Sequence, residues 1–219
     1  MKIVIEWAYK TPKGAETIFR SEEMSAPHAL MIAEDLERTG RVKGLTLTDQ
    51  HDSTWMIKEL KKYIKEIETE PHNVTVYFDG GYDRGTSTSG LGCVIYYEQN
   101  GKSFRLRKNA YATGLVSNNE AEYAALNLSL VELELLDVHG MTVRFIGDSQ
   151  VVINQMNGEW PAYEKELASW ADRIDERLRA LSITPEYELV PRKENAEADK
   201  LATQALNGVD ISGKIELGG

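Results

Sequence analysis

Residues 74–81 read Val-Thr-Val-Tyr-Phe-Asp-Gly-Gly and combine a strand signal with a candidate site residue. The β-branched and aromatic residues of 74–78 predict a strand. Asp79 follows that strand directly, at the edge where α/β sheets gather their ligands. Two glycines after it would let the backbone turn sharply and leave the carboxylate unobstructed. An aspartate that only ends a strand is the simpler alternative for Asp79 taken alone.

The chain after residue 81 alternates between strand and helix patterns. Strands are predicted for residues 90–98, 104–112, 143–146 and 187–190, and helices for residues 118–136, 149–156, 163–181 and 196–206. The first two of these strands are joined at Asn100-Gly101, a strong hairpin signal. Three antiparallel strands followed by alternating helices and strands predict an α/β domain with a mixed sheet flanked by helices.

The first 68 residues predict a separate, small α+β module. Apolar residues alternate from Ile3 to Tyr9 as in a half-buried strand. Apolar residues at helical spacing predict one helix that begins after Ser25 and a second over residues 57–67. One face of the second helix is a candidate surface for nucleic acid or a partner, with a merely solvated surface as the alternative. It carries Lys58, Lys61, Lys62 and Lys65.

A polar stretch before Pro71 predicts the boundary between this module and a second domain over residues 73–206. Residues 207–219 contain four glycines and are expected to form a flexible tail. The sequence contains no internal repeat and no low-complexity segment.

Composition restricts the environment in which the protein works. The single cysteine, Cys93, excludes an internal disulfide and suits a reducing compartment. No apolar stretch approaches the ~20 residues of a membrane helix, so a cytoplasmic protein without membrane contact is expected. The net charge of −10 disfavours sequence-independent nucleic-acid binding by electrostatics alone. A monomer is expected, although no sequence feature determines the oligomeric state.

Three further acidic residues lie in settings as distinctive as that of Asp79. They are Glu122 in Ser-Asn-Asn-Glu-Ala-Glu-Tyr, Asp148 in Gly-Asp-Ser-Gln, and Asp199 in Glu-Asn-Ala-Glu-Ala-Asp-Lys. Carboxylates without cysteine or histidine partners form a site for Mg²⁺ or Mn²⁺ and not for zinc. The set therefore favours metal-assisted phosphoryl chemistry, although each residue alone has a structural alternative such as a helix cap or a solvated helix face.

Two neighbouring glutamates are separated by a helix-capping pattern. Ser117 and Glu120 form the capping box that opens the helix predicted at residue 118, which gives Glu120 a structural role. Glu122 lies farther into the same helix and is the residue expected to project into the site.

The four segments together resemble the type I ribonuclease H family, over Val74–Leu206. The matching residues are 77–81, 117–123, 147–150 and 195–199. The resemblance implies a ribonuclease H-like α/β fold with a five-stranded mixed sheet flanked by helices, preceded here by the small α+β module. It also implies hydrolysis of the RNA strand of RNA–DNA hybrids by two metal ions, Mg²⁺ or Mn²⁺, leaving a 5′-phosphate and a 3′-hydroxyl.

The resemblance assigns roles to individual residues. Asp79, Glu122, Asp148 and Asp199 would be the catalytic residues and would hold both metal ions. The substrate-binding residues would be Gly80, Gly81, Asn118, Asn119, Gln150, Arg192 and Asn195. Amides such as Asn118 and Asn119 could recognise 2′-hydroxyls in the wide minor groove of a hybrid.

Three departures from the family pattern concern turnover and substrate affinity more than the fold. Many members of the family have a histidine in the loop before the last helix, where it helps the product leave. Residues 190–194 contain no histidine, so Arg192 or Lys193 would supply the electrostatic part of that role. The basic protrusion of longer members is absent, and Thr86 stands where asparagine is usual. The alternative function is therefore a weakly active or inactive ribonuclease H-like protein that binds nucleic acid. A junction resolvase is disfavoured by the Asn118-Asn119 pair.

Overall fold

The computed structural model describes residues 1–218, which form two compact units. The first unit is Met1–Thr69 and the second begins at Glu70. Within residues 1–218, no helix combines the length and the apolar character needed to cross a membrane.

The first unit is an antiparallel sheet with two helices. Its elements are β1 (Lys2–Lys10), β2 (Glu16–Arg20), β3 (Met24–Ser25), α1 (Ala26–Arg38), β4 (Val42–Asp49), β5 (Thr54–Trp55) and α2 (Ile57–Thr69). The strand order is β2-β1-β4-β5, and β3 pairs with β1. Ile3, Ile5 and Leu47 are buried against Ala29, Ala33 and Leu60 of the helices. The predicted α+β character of this region is confirmed.

The second unit contains a mixed sheet of six strands. Its elements are β6 (His72–Asp83), β7 (Thr88–Gln99), β8 (Lys102–Thr113), α3 (Asn118–Leu135), β9 (Thr142–Gly147), α4 (Gln150–Met156), α5 (Lys165–Ala180), β10 (Thr184–Leu189), a 3₁₀ turn (Arg192–Glu194), α6 (Ala196–Leu206) and β11 (Ser212–Leu217). The order is β10-β9-β6-β7-β8-β11. β6, β7, β8 and β11 are antiparallel neighbours, while β9 is parallel to β6 and β10 is parallel to β9.

Glycines on β7 bring α6 close to the sheet. A Cβ atom at Gly90 would lie 2.0 Å from the carbonyl oxygen of Ala202, and one at Gly92 would lie 2.4 Å from that of Ala198. Real Cβ atoms are not found at such distances, so only glycine permits this approach. Because Asp199 lies between the two alanines in α6, the same approach carries Asp199 to the sheet.

The C-terminal segment is a strand, and the predicted flexible tail over residues 207–219 is wrong for residues 212–217. β11 pairs with the edge of β8 from Ser212 to Leu217, which adds the sixth strand to the five expected. Buried Asn109 holds the connection: its Nδ2 donates to Val209 O at 2.9 Å and its Oδ1 accepts from Ile211 N at 2.7 Å. Residue 219 lies outside the described residues.

Candidate active site

Asp79 lies within β6 and not beyond its end. β6 continues through Gly80 and Gly81 to Asp83, so the predicted sharp turn after Asp79 is wrong. Glycine is required at position 80 for a different reason, because a Cβ atom there would lie 2.1 Å from the carbonyl carbon of Ala121. Glycine therefore lets α3 pack directly on β6. The Asp79 carboxylate is buried, with only 7% of the residue exposed.

Glu122 reaches the site because of this close packing. Its Oε2 accepts a hydrogen bond of 3.2 Å from the backbone N–H of Gly80, and the residue is buried. The start of α3 is capped as predicted, because Ser117 Oγ accepts from Glu120 N at 3.2 Å and Glu120 Oε2 accepts from Val116 N at 2.7 Å. The two glutamates therefore have separate tasks, one at the helix start and one in the site.

Asp148 directly follows β9, as the sequence predicts, and Asn195 holds its side chain. Asn195 Nδ2 donates to Asp148 Oδ1 at 2.9 Å and to Phe78 O at 2.9 Å. Asn195 is only 1% exposed, and its Oδ1 has no hydrogen-bond partner among residues 1–218. Such burial does not suit the predicted contact with substrate. Asn195 is instead a positioning residue that connects β6, Asp148 and the start of α6.

Asp79, Glu122 and Asp148 converge. Each offers a carboxylate oxygen, and these oxygens all lie within 4.8 Å of one another. Burial, followed by the charge of Asp148, raises the pKa of Asp79 to about 7. Burial, followed by the charges of Asp79 and Asp148, also raises the pKa of Glu122 well above its ordinary value. Three crowded carboxylates that repel one another fit a divalent cation with oxygen ligands.

Asp199 lies beside this cluster but is not part of it. Its Oδ1 accepts hydrogen bonds from Nε of Arg192, at 3.1 Å, and from Nη2 of the same side chain. Asp199 still lines the same cavity of about 570 Å³ as the three clustered acids. The four predicted acids therefore line one cavity, and the fourth, Asp199, forms an ion pair with Arg192.

The predicted substrate-binding residues differ in position. Gly80, Gly81, Asn118 and Arg192 line the cavity. Asn118, the first residue of α3, accepts a 3.3 Å hydrogen bond from Tyr82 N through its Oδ1. Asn119 and Gln150 do not line the cavity. Asn119 is half-buried, and Gln150 is exposed at the start of α4.

Asp83 is a cavity residue that the sequence reasoning missed. The alternation of side chains along a strand could have identified it. Because β6 continues past the two glycines, Asp79, Gly81 and Asp83 lie on the same face of the strand. Asp83 accepts hydrogen bonds from Gly85 N at 2.8 Å and Thr86 Oγ1 at 2.9 Å. These bonds, with that from Gly85 as the leading cause, lower the pKa of Asp83 and keep it ionised at the cavity rim.

The chain is similar to known proteins in sequence. Residues 77–205 match the family described as reverse transcriptase-like. The chain is 41% identical over 194 residues to the uncharacterized protein YpeP of Bacillus subtilis, which covers 89% of this chain and 85% of YpeP. It is also 31% identical over 137 residues to ribonuclease HI of Halobacterium salinarum, which covers 61% of this chain and 64% of that protein.

The fold is also similar to solved structures. LC11-RNase H1, isolated from compost and solved in complex with an RNA/DNA hybrid, has a TM-score of 0.54 and 27% sequence identity to this chain. The similarity covers 62% of this chain and 98% of that one. The predicted fold class is confirmed, with one strand more than expected.

Proposed function

Because the chain belongs to the type I ribonuclease H family of enzymes, we propose that it is an endoribonuclease that hydrolyses the RNA strand of RNA–DNA hybrids. The observation that carries this proposal is the convergence of Asp79, Glu122 and Asp148, whose carboxylate oxygens lie within 4.8 Å of one another in a cavity shared with Asp199. The RNA/DNA hybrid bound by LC11-RNase H1 supports the choice of substrate.

The four acids would hold two divalent cations, Mg²⁺ or Mn²⁺. When bound, such a pair supplies an activated water and charge stabilisation at the leaving 3′ oxygen, which accounts for the 5′-phosphate and 3′-hydroxyl products that we propose. Carboxylate oxygens without softer ligands favour these ions over zinc.

The protein's own residues keep the carboxylates in place before substrate arrives. The Gly80 N–H group holds Glu122, and the Asn195 amide holds Asp148. Both contacts come from buried groups, so the acids cannot move apart freely to relieve their repulsion. The free energy needed to bring the charges together is therefore supplied when the protein folds, and it does not add to the barrier of the reaction.

Substrate selection would depend on amides at the edge of the cavity. Since Asn118 Oδ1 already accepts from Tyr82 N, its Nδ2 hydrogens remain to donate to a 2′-hydroxyl in the minor groove. Asn119 and Gln150 would extend this contact outside the cavity. DNA lacks the 2′-hydroxyl and would lose these hydrogen bonds.

We also propose that the first unit assists binding through the exposed lysines of α2. Lys61 pairs with Glu34 at 2.7 Å and Lys62 pairs with Glu66 at 3.4 Å, whereas Lys58 and Lys65 have no ion pair within the described chain. Replacing Lys58 and Lys65 by alanine should therefore weaken hybrid binding more than replacing Lys61 and Lys62. If both double variants bind the hybrid as tightly as the unchanged protein does in a low-salt filter-binding assay, the lysines of α2 have no part in substrate recognition.

We also propose that the protein is cytoplasmic. Cys93 is a free, buried thiol, which agrees with a reducing cytoplasm. We propose a monomer, which light scattering would test.

The decisive experiment offers four labelled duplexes or strands to the protein: an RNA–DNA hybrid, single-stranded RNA, double-stranded RNA and double-stranded DNA. Cleavage of the hybrid RNA strand in Mg²⁺ or Mn²⁺, and its loss in the Asp148→Asn variant, is the expected result. Product ends are identified by whether a phosphatase and a ligase act on them. An intact hybrid after long incubation with both metals at low salt would leave the alternative, a protein that binds nucleic acid without turnover.

A further inference from the structure

Arg192 is the one basic side chain among the described residues that line the active-site cavity. The same lining includes five carboxylates, those of Asp79, Asp83, Glu122, Asp148 and Asp199. The guanidinium group therefore faces a strongly acidic cavity, and it binds the acid that stands apart from the close cluster.

The contact has the geometry of a replaceable counter-ion. Nε and Nη2 of Arg192 both donate to a single oxygen, Oδ1 of Asp199, and not to both oxygens as in a bidentate pair. The Arg192 side chain is 77% exposed, while that of Asp199 is 29% exposed. An exposed ion pair of this type contributes little to stability, so the arginine can leave without disturbing the fold.

We propose that Arg192 is a displaceable counter-ion that occupies Asp199 in the metal-free enzyme and competes with the divalent cation for that carboxylate. When a cation binds at Asp199, the guanidinium group is released toward the cavity mouth, where an anionic phosphate group would attract it. When the cation leaves, Arg192 returns to Asp199. The inference rests on the proposed function only in treating the four acids as the metal site.

The competition predicts that removing the guanidinium group tightens metal binding. Calorimetric titration of the protein with Mg²⁺, without nucleic acid and at one fixed pH, should show tighter binding in Arg192→Ala of whichever of the two ions binds more weakly. The expected gain is up to about fivefold, the upper end of what an exposed ion pair contributes. Arg192→Lys should fall between the two, because lysine keeps the charge without the planar donors.

Lys193→Ala is the matched control, since it removes the same charge from the adjacent residue of the 3₁₀ turn, and Lys193 does not line the cavity. Its affinity for Mg²⁺ should stay close to that of the unchanged protein. In an Asp199→Asn background, Arg192→Ala should no longer tighten binding, because the contested carboxylate is gone.

Equal effects of Arg192→Ala and Lys193→Ala would mean that net charge alone acts, and would overturn the proposal. Unchanged or weaker Mg²⁺ binding in Arg192→Ala would overturn it too. Thermal melting verifies that each variant is folded. The titration contains no substrate, so it is independent of the cleavage assay. If Arg192→Ala binds Mg²⁺ more tightly but the unchanged protein fails to cleave the hybrid, the proposed function is refuted and the counter-ion role stands.

Discussion

The side-chain nitrogen of Asn195 lies 2.9 Å from Oδ1 of Asp148 and joins two segments that are 47 residues apart in the chain. The same nitrogen also donates to the carbonyl oxygen of Phe78, the residue before Asp79. A single buried amide thus fixes one acid of the site relative to the strand that carries another.

Replacing Asn195 by alanine should lower both stability and activity. The change leaves the buried carbonyl of Phe78 without this donor, which costs about 1–3 kcal/mol, and it frees Asp148 to move away from the cluster. We expect a lower melting temperature together with a fall in kcat that exceeds the change in KM. Lys200→Ala, at an exposed position of α6, is the control and should change neither quantity. A variant with normal kcat would show that Asn195 serves the fold alone.

Asp148→Asn should abolish cleavage without weakening the metal-free protein. The substitution removes one charge from three carboxylates that repel one another, while the asparagine oxygen can still accept the hydrogen bond from Asn195. We expect the melting temperature in a metal chelator to be equal to or higher than that of the unchanged protein. Added Mg²⁺ should stabilise the unchanged protein more than the variant. A clear loss of stability in the chelator would mean that Asp148 is required for folding.

The stability of the metal-free protein should depend on pH through Asp79. Because its pKa is raised from 3.8 to about 7 on folding, the folded state binds its proton more tightly than the unfolded state. The resulting stabilisation is complete below the unfolded pKa and is lost as the pH rises through about 7, a change on the order of 4 kcal/mol. Urea unfolding in a chelator between acidic and mildly alkaline pH measures it.

Asp79→Asn should flatten that pH dependence, because the asparagine side chain does not titrate. A slope that is equally steep in the variant would assign the pH dependence to other groups. In the unchanged protein, Mg²⁺ binding should release protons below pH ~7 and tighten as the pH rises, since the metal competes with the proton on Asp79.

Gly80→Ala should separate α3 from β6. The added Cβ would meet the backbone of Ala121 at 2.1 Å, and backbone atoms cannot move aside as the end of a flexible side chain can. We expect destabilisation of at least ~2 kcal/mol and loss of activity, because Glu122 is displaced with the helix. Gly213→Ala, where a Cβ would have open space, should be neutral. A fully active and stable Gly80→Ala variant would contradict the described packing of α3 on β6.

Local patterns in the sequence were sufficient for much of the fold. The alternation of strands and helices, the Ser117–Glu120 cap and the position of Asp148 after β9 are all present in the structure. Each of these features depends on residues close in sequence, where side-chain spacing and backbone preferences are the main physical determinants.

Long-range packing decided the features that were predicted wrongly or missed. From its neighbours in sequence Gly80 is typical of a turn, but in the structure it is the close packing of α3 that requires glycine there. Residues 212–217 are typical of a loose tail in sequence, but in the structure they form β11 and pair with the edge of β8. Neither the neighbour of a glycine nor the partner of an edge strand is encoded in the adjacent residues.

The sequence by itself identified four of the five acids that line the cavity and the helix or strand beside each of those four. Only the tertiary structure decided that three of them meet while Asp199 binds Arg192, and that Asn195 is buried behind Asp148. The physical reason is that charge repulsion, ion pairing and burial depend on distances across the fold, which the packing of α3 and α6 on the sheet determines.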